Sequence, residues 1–197
     1  MISKIKNIGK IITWDSKKDV IDINQSKNLE ILIEDGCISS IGQDLNKDNV
    51  DNIIDARGGL VTPGFIDCHT HSIFSGDRSS DFKLRTEGKT YEDISLAGGG
   101  IKSSIKSVRE SSKEELFKES LPRVESFLKK GTTTIEAKSG YGLTLKDEIK
   151  SLEVIRDINE SSDIDIIPTF MGAHDFPLEY INNKDDYINL ICNEMIP

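Results

Sequence analysis

The sequence predicts an α/β fold: strands alternating with helices along a parallel sheet or barrel, preceded by a small all-β module. Three observations carry that expectation. Residues 1–61 hold short apolar runs separated by turn signals. From residue 62 onward, strand-like apolar runs alternate with amphipathic stretches. The resulting order, strand, long loop with helix, strand, helix, strand, is the βαβαβ pattern of parallel strands.

In the first segment, Leu29, Ile31 and Ile33 alternate, Asp35-Gly36 marks a hairpin turn, and Ile38 and Ile41 resume on the far side. Ile53-Ile54 forms a third apolar stretch leading into Gly58-Gly59. Leu60 to Asp67 then reads as the apolar entry into a buried strand, with Pro63 near its start, where a missing N–H is tolerated. Ser112 and Glu115 make a capping box, which predicts a helix from there to Gly131, with Phe117, Leu121, Val124 and Leu128 on one face and Pro122 as a kink point. A second helix is expected from Thr144 to Asn159, its stripe formed by Leu145, Ile149, Leu152, Ile155 and Ile158. Strand-like runs follow each helix, at 132–137 and 164–171.

Composition excludes several classes of function. With 34 acidic and 25 basic side chains, the formal charge is −9. Affinity for polyanions comes largely from Lys and Arg, so a nucleic-acid surface is not expected. No apolar run approaches the roughly 18 residues of a transmembrane helix, so no membrane association is expected either. The N-terminus lacks the apolar core of a signal peptide. Cys37, Cys68 and Cys192 sit at no metal-ligand spacing and read as free thiols of a cytoplasmic protein.

The chemistry concentrates at His69-Thr70-His71, which closes the first strand of the second segment. Strand residues two apart share a face, so both imidazoles can converge on one ion. Imidazole suits zinc and iron-class metals. Asp67 lies on the same face as a supporting partner, and Cys68 between them faces the opposite way, into packing. Gly88-Lys89-Thr90 resembles the end of a phosphate loop, but Lys83 occupies the first glycine position and no helix is evident after it. Read from the residues alone, Arg78 is a loop cation and Tyr141 shapes a turn between two glycines. His174 is a core histidine or a further metal ligand, and Glu136 and Lys138 are a same-face pair as suited to structure as to catalysis.

The run Pro63-Gly64-Phe65-Ile66-Asp67-Cys68-His69-Thr70-His71 resembles the first-strand motif of the amidohydrolase superfamily. Within it, Gly76-Asp77-Arg78-Ser79, the block from Glu136 to Gly142 and Gly172-Ala173-His174 are similar to the imidazolonepropionase family. The resemblance implies a (β/α)8 barrel of the TIM type, here its first three to four βα units, over residues 62–197. Residues 1–61 would then be part of a small β-sandwich domain. It implies metal-dependent hydrolysis of the cyclic amide of 4-imidazolone-5-propanoate to N-formimidoyl-L-glutamate in histidine degradation. Zinc or iron would be held in part by His69 and His71, with substrate contacts from Arg78, Tyr141 and His174. It further implies a cytoplasmic enzyme that forms a homodimer when full length. A guanidinium fork suits the substrate's propionate, and a phenol ring suits its flat heterocycle.

A barrel of this kind takes about 250 residues, so residues 62–197 hold about four units at most. The remaining metal ligands and the proton-transfer residues of the family come from later strands. The expectation is therefore an N-terminal portion, inactive and poorly folded alone. Two other readings stay open: another cyclic amidohydrolase or deaminase, and a non-catalytic half-barrel that binds a partner.

Overall fold

A computed structural model describes all 197 residues as two compact units, Met1–Pro63 and Gly64–Pro197. The first unit is all β. Strands β1 (Ile2–Ile8), β2 (Lys10–Asp15), β3 (Val20–Asn24), β4 (Leu29–Glu34), β5 (Cys37–Gln43), β6 (Asn52–Asp55) and β7 (Leu60–Val61) form two sheets, ordered β5-β4-β1-β6 and β3-β2-β7. Asp35 and Gly36 take positive φ of 50° and 82° at the β4–β5 turn, the backbone twist that a two-residue hairpin needs. Ile8, Ile11, Leu29 and Ile31 form this unit's core. Ile38, Ile41, Ile53 and Ile54, in contrast, are exposed.

The second unit contains strands β8 (Phe65–Thr70), β9 (Thr132–Lys138) and β10 (Asp165–Thr169), all parallel and in consecutive order. Parallel neighbours require crossovers. Helices α1 (Ser79–Thr86), α2 (Tyr91–Leu96), α3 (Ile101–Glu110) and α4 (Lys113–Lys129) lie in the first crossover, α5 (Leu145–Ser161) forms the second, and α6 (Lys184–Leu190) follows β10. Ser112 and Glu115 close a full capping box at the start of α4, and Thr144 caps α5 by accepting from the Asp147 amide. Pro122 stands inside α4.

The core of this unit lies between one face of the sheet and the helices. Ile135, Ala137 and Ile166 pack there against Leu116 and Val124 of α4 and Val154, Ile155 and Ile158 of α5. Much of each expected stripe faces the core: Phe117, Leu121 and Val124 of α4 and Leu152, Ile155 and Ile158 of α5 pack there, with Leu128 and Ile149 left exposed. In α4 the buried line is Leu116, Ser120 and Val124, while Leu128 is exposed. In α5 it is Glu148, Ser151, Val154, Ile155 and Ile158, while Ile149 is exposed. Several apolar rows on one helix satisfy the 3.6-residue period about equally, and the sheet selects the row that faces it.

Two further expectations are corrected. β8 is an edge strand rather than a buried one, bonded only to β9, and it leaves Phe65 and Ile66 exposed. Cys68, on the same strand, is likewise exposed and does not pack. A helix does follow Gly88-Lys89-Thr90: Thr90 forms a capping box with Asp93 at the start of α2, so the threonine serves the helix end and no phosphate loop is built. No helix is long and apolar enough to cross a membrane.

Candidate metal and substrate site

The strands of the second unit alternate faces with period two. Ile135 and Ala137 of β9 point to the helices, so Glu136 and Lys138 point to the opposite face. There the Lys138 ammonium lies 2.6 Å from Glu136 Oε1, which also accepts from the Thr169 hydroxyl of β10 at 2.8 Å. Lys138 and Thr169 together hold the Glu136 carboxyl below the usual glutamate range. The Thr169–Glu136 bond ties β9 to β10 across the open face by side chains as well as by the ladder.

At the C-terminal ends of these strands, four rings gather. The His69 and His71 centroids are 5.7 Å apart. His71 stacks on His174 at 4.6 Å with an interplanar angle of 15°, and Tyr141 lies 5.1 Å from His71 and 5.4 Å from His174. His69 comes from β8 and His71 from the residue after its end, Tyr141 from the loop between β9 and α5, and His174 from a single 3₁₀ turn after β10. His174 Nδ1 lies 3.0 Å from the Gly140 carbonyl, which fixes Nδ1 as the protonated nitrogen if the ring is neutral.

Burial, and then the neighbouring His174 and His69 rings, push the His71 imidazole down to about 4, so it is neutral at pH 7. Its Nδ1 is buried and has no hydrogen-bond partner. A neutral imidazole with an unclaimed buried nitrogen is the form in which histidine binds a metal ion. The 5.7 Å separation from His69 lets two rings flank one ion through bonds of about 2.0–2.1 Å. Asp67 accepts from the His69 backbone amide at 3.2 Å and so stiffens the strand end. No group of three or more His, Cys, Asp and Glu side chains is gathered to hold an ion.

Arg78 stands at the N-terminus of α1. Its Nε donates to Asp81 at 2.8 Å, and Asp81, itself nearly buried, also accepts from the Gly100 amide at 2.9 Å. This leaves the two terminal amino groups of the guanidinium without a partner in the chain. Burial pushes the Tyr141 phenol upward, and the Arg78 charge partly counters that.

Two supporting residues escape a reading by motif. Glu148, in the first turn of α5, is fully buried, and its carboxylate accepts from the Gly140, Gly142 and Leu143 amides at 3.0, 2.9 and 2.8 Å. Asp81 fixes Arg78 as described. The signal for Glu148 lies in helical phase, since it shares a face with Ile155 and Ile158, where a lone carboxylate requires donors.

No family model matches the chain. Solved structures share its fold at low identity. An amidohydrolase matches with a TM-score of 0.53 and 19% identity, over 86% of this chain and 32% of its own. A variant of atrazine chlorohydrolase from Arthrobacter aurescens, solved with zinc and atraton, matches at 0.52 and 17%, over 85% and 35%. Both share the mixed α/β architecture of this chain.

Sequence relatives are more specific. An imidazolonepropionase from Ectopseudomonas mendocina is 44% identical over 178 residues, covering 89% of this chain and 44% of that protein. One from Geobacillus sp. is 42% identical over 207 residues, covering 98% and 49%, and one from Aliivibrio fischeri is 51% identical over 146 residues, covering 74% and 36%. The chain belongs to the imidazolonepropionase family of hydrolases. It spans less than half the length of these curated relatives.

Proposed function

We propose that the chain contributes metal-binding and substrate-binding residues to an enzyme that opens the ring of 4-imidazolone-5-propanoate, giving N-formimidoyl-L-glutamate in histidine degradation. The observation that carries this reading is the unpartnered Nδ1 of a neutral His71, set among His69, Tyr141 and His174. His69 and His71 would hold zinc or iron. When bound, such an ion supplies Lewis acidity, which draws the pKa of a bound water down towards about 7.

The other residues act on the substrate. The free terminal N–H groups of Arg78 take the propionate carboxylate as a fork, with Asp81 holding the guanidinium in place. In a chain of net charge −9, that one fixed cation gives an anionic substrate a local reason to bind. Tyr141 offers an aromatic face and a phenolic donor to the flat ring. His174, with Nδ1 occupied by Gly140, keeps Nε2 for the heterocycle. Hydrolysis adds water across the ring amide: the carbonyl carbon gains oxygen, and the ring nitrogen gains a proton as the C–N bond breaks.

The three consecutive parallel strands support the first βα units of a (β/α)8 barrel, and residues 1–61 support part of a small β-sandwich domain. The exposed free cysteines fit a reducing cytoplasmic setting, and a homodimer belongs to the same reading. Catalytic zinc generally has three protein ligands, and this chain brings two, so these 197 residues are expected to bind metal weakly and not to turn over alone.

Equilibrium dialysis of the chain against zinc or ferrous ion tests the reading. Uptake approaching one ion per chain at high metal, abolished in the doubly substituted His69→Ala/His71→Ala protein, supports it. Uptake that is unchanged in that variant, or absent in the original chain, overturns it.

A further inference from the structure

The loop that carries Tyr141 is held from both sides by charged groups that the reaction does not use. Glu148 accepts from the amides of Gly140, Gly142 and Leu143. Arg109, from α3, donates to the carbonyls of Gly142 and Leu143 at 2.7 and 3.3 Å, and pairs with Glu179 at 2.8 Å. A carboxylate thus takes the N–H side of the loop and a guanidinium takes the C=O side.

The loop needs such a hold. Gly140 has φ of +103°, and a Cβ there would come within 2.8 Å of the Met171 carbonyl oxygen and 2.9 Å of His174 Cβ. Leu143, which is not a glycine, sits at φ +53°. Backbone in this region persists only where the surroundings impose it. The same Gly140 whose amide is bound by Glu148 presents its carbonyl to His174 Nδ1. One buried carboxylate is therefore connected, through a single residue, to both His174 and Tyr141.

We propose that Glu148 is a positioning residue of the site: it sets the Gly140–Leu143 loop so that Tyr141 and His174 stand against His71. The inference deepens the function proposed above, and its role as a substrate-site determinant rests on that reading. The loop geometry itself does not. A buried anion on three amides is a charge-assisted arrangement that a neutral side chain of the same shape cannot reproduce. Glutamine at this position would keep one oxygen and turn an N–H group towards amides that already donate.

The test uses the full chain. In Glu148→Gln, loss of the Tyr141–His71 ring-proton contact by NMR, with amide protection at Gly140, Gly142 and Leu143 reduced about tenfold or more while that of Ile135 persists, supports the proposal. Ring contacts retained, with protection within about twofold of the original, overturn it. Val154→Ala weakens the same helix without touching the loop; if it displaces the rings as much, the effect is general destabilisation and the proposal fails. Should Glu148→Gln not fold, exchange in the unsubstituted chain decides. Amides 140, 142 and 143 protected like those of the core support the proposal, and amides exchanging at free-loop rates overturn it. Calorimetry with 4-imidazolone-5-propanoate separates the two readings. An unsubstituted chain that binds none sinks the substrate assignment, while the ring contacts and exchange still decide the role of Glu148.

Discussion

The two faces of the β8-β9-β10 sheet are made from the same strands and differ in almost everything else. On the helix-covered face, Ile135, Ala137 and Ile166 meet Leu116, Val124, Val154 and Ile158 in a dry, close-packed layer. On the open face, Lys138 and Thr169 both donate to Glu136, and the strand ends lead to His69 and His71. In β9 a period of two residues is enough to put the apolar core on one side and Glu136 and Lys138 on the other. Substitutions on the covered face should therefore move stability, and those at the open face and the strand ends should move ligand binding.

The largest expected effect is on the covered face. Ile135→Ala removes a fully buried side chain from the middle strand and is expected to cost about 2–5 kcal/mol, read from urea unfolding. A loss below about 1 kcal/mol would mean that this face relaxes into the cavity and is not the tight layer described. Next is Arg78→Lys, which keeps a cation for Asp81 but loses the fork. The affinity for 4-imidazolone-5-propanoate is expected to fall about tenfold with little change in the unfolding midpoint. A stability loss as large as that of Ile135→Ala would show that Arg78 serves folding and not ligand binding.

The smallest effect concerns pH. The Arg78 guanidinium and then the Gly100 amide hold the Asp81 carboxyl below the usual aspartate range. A depressed folded pKa contributes stability that is complete above about pH 4, the unfolded value, and is lost as pH falls through the folded one. Urea midpoints between about pH 5 and pH 2 should fall less steeply for Asp81→Asn than for the original chain. Parallel curves for the two proteins would show that the Arg78–Asp81 pair does not bear on folding.

Much of this arrangement is legible along the chain because its causes are local. Ser112 with Glu115 before α4 and Asp35-Gly36 between β4 and β5 each act over two to four residues, and the structure realises both. The short helices α1 and α2 are not legible by periodicity. α1 buries only Asp81, and α2 only Ile94, so neither displays an apolar stripe. In α4 and α5 periodicity finds the face but not its margins, because Leu116 or Leu128, and Val154 or Ile149, serve an amphipathic pattern about equally until a sheet is present.

For the candidate site, His-x-His, the glycines around Tyr141 and the Gly-Ala-His block mark the ends of three separate strands, and sequence names those residues without their mutual distances. By itself, the sequence determined the alternation of strands and helices, the helix caps and the family, since periodicity, capping and motif identity are properties of neighbouring residues. Only the tertiary structure decided that His71 stacks on His174, that its Nδ1 is left without a partner, and that Glu148 is turned inward onto three amides. Those facts depend on which elements pack together. A buried nitrogen or carboxylate takes its chemical character from groups that lie far from it in the chain or on another element, and burial is what makes each of their contacts count.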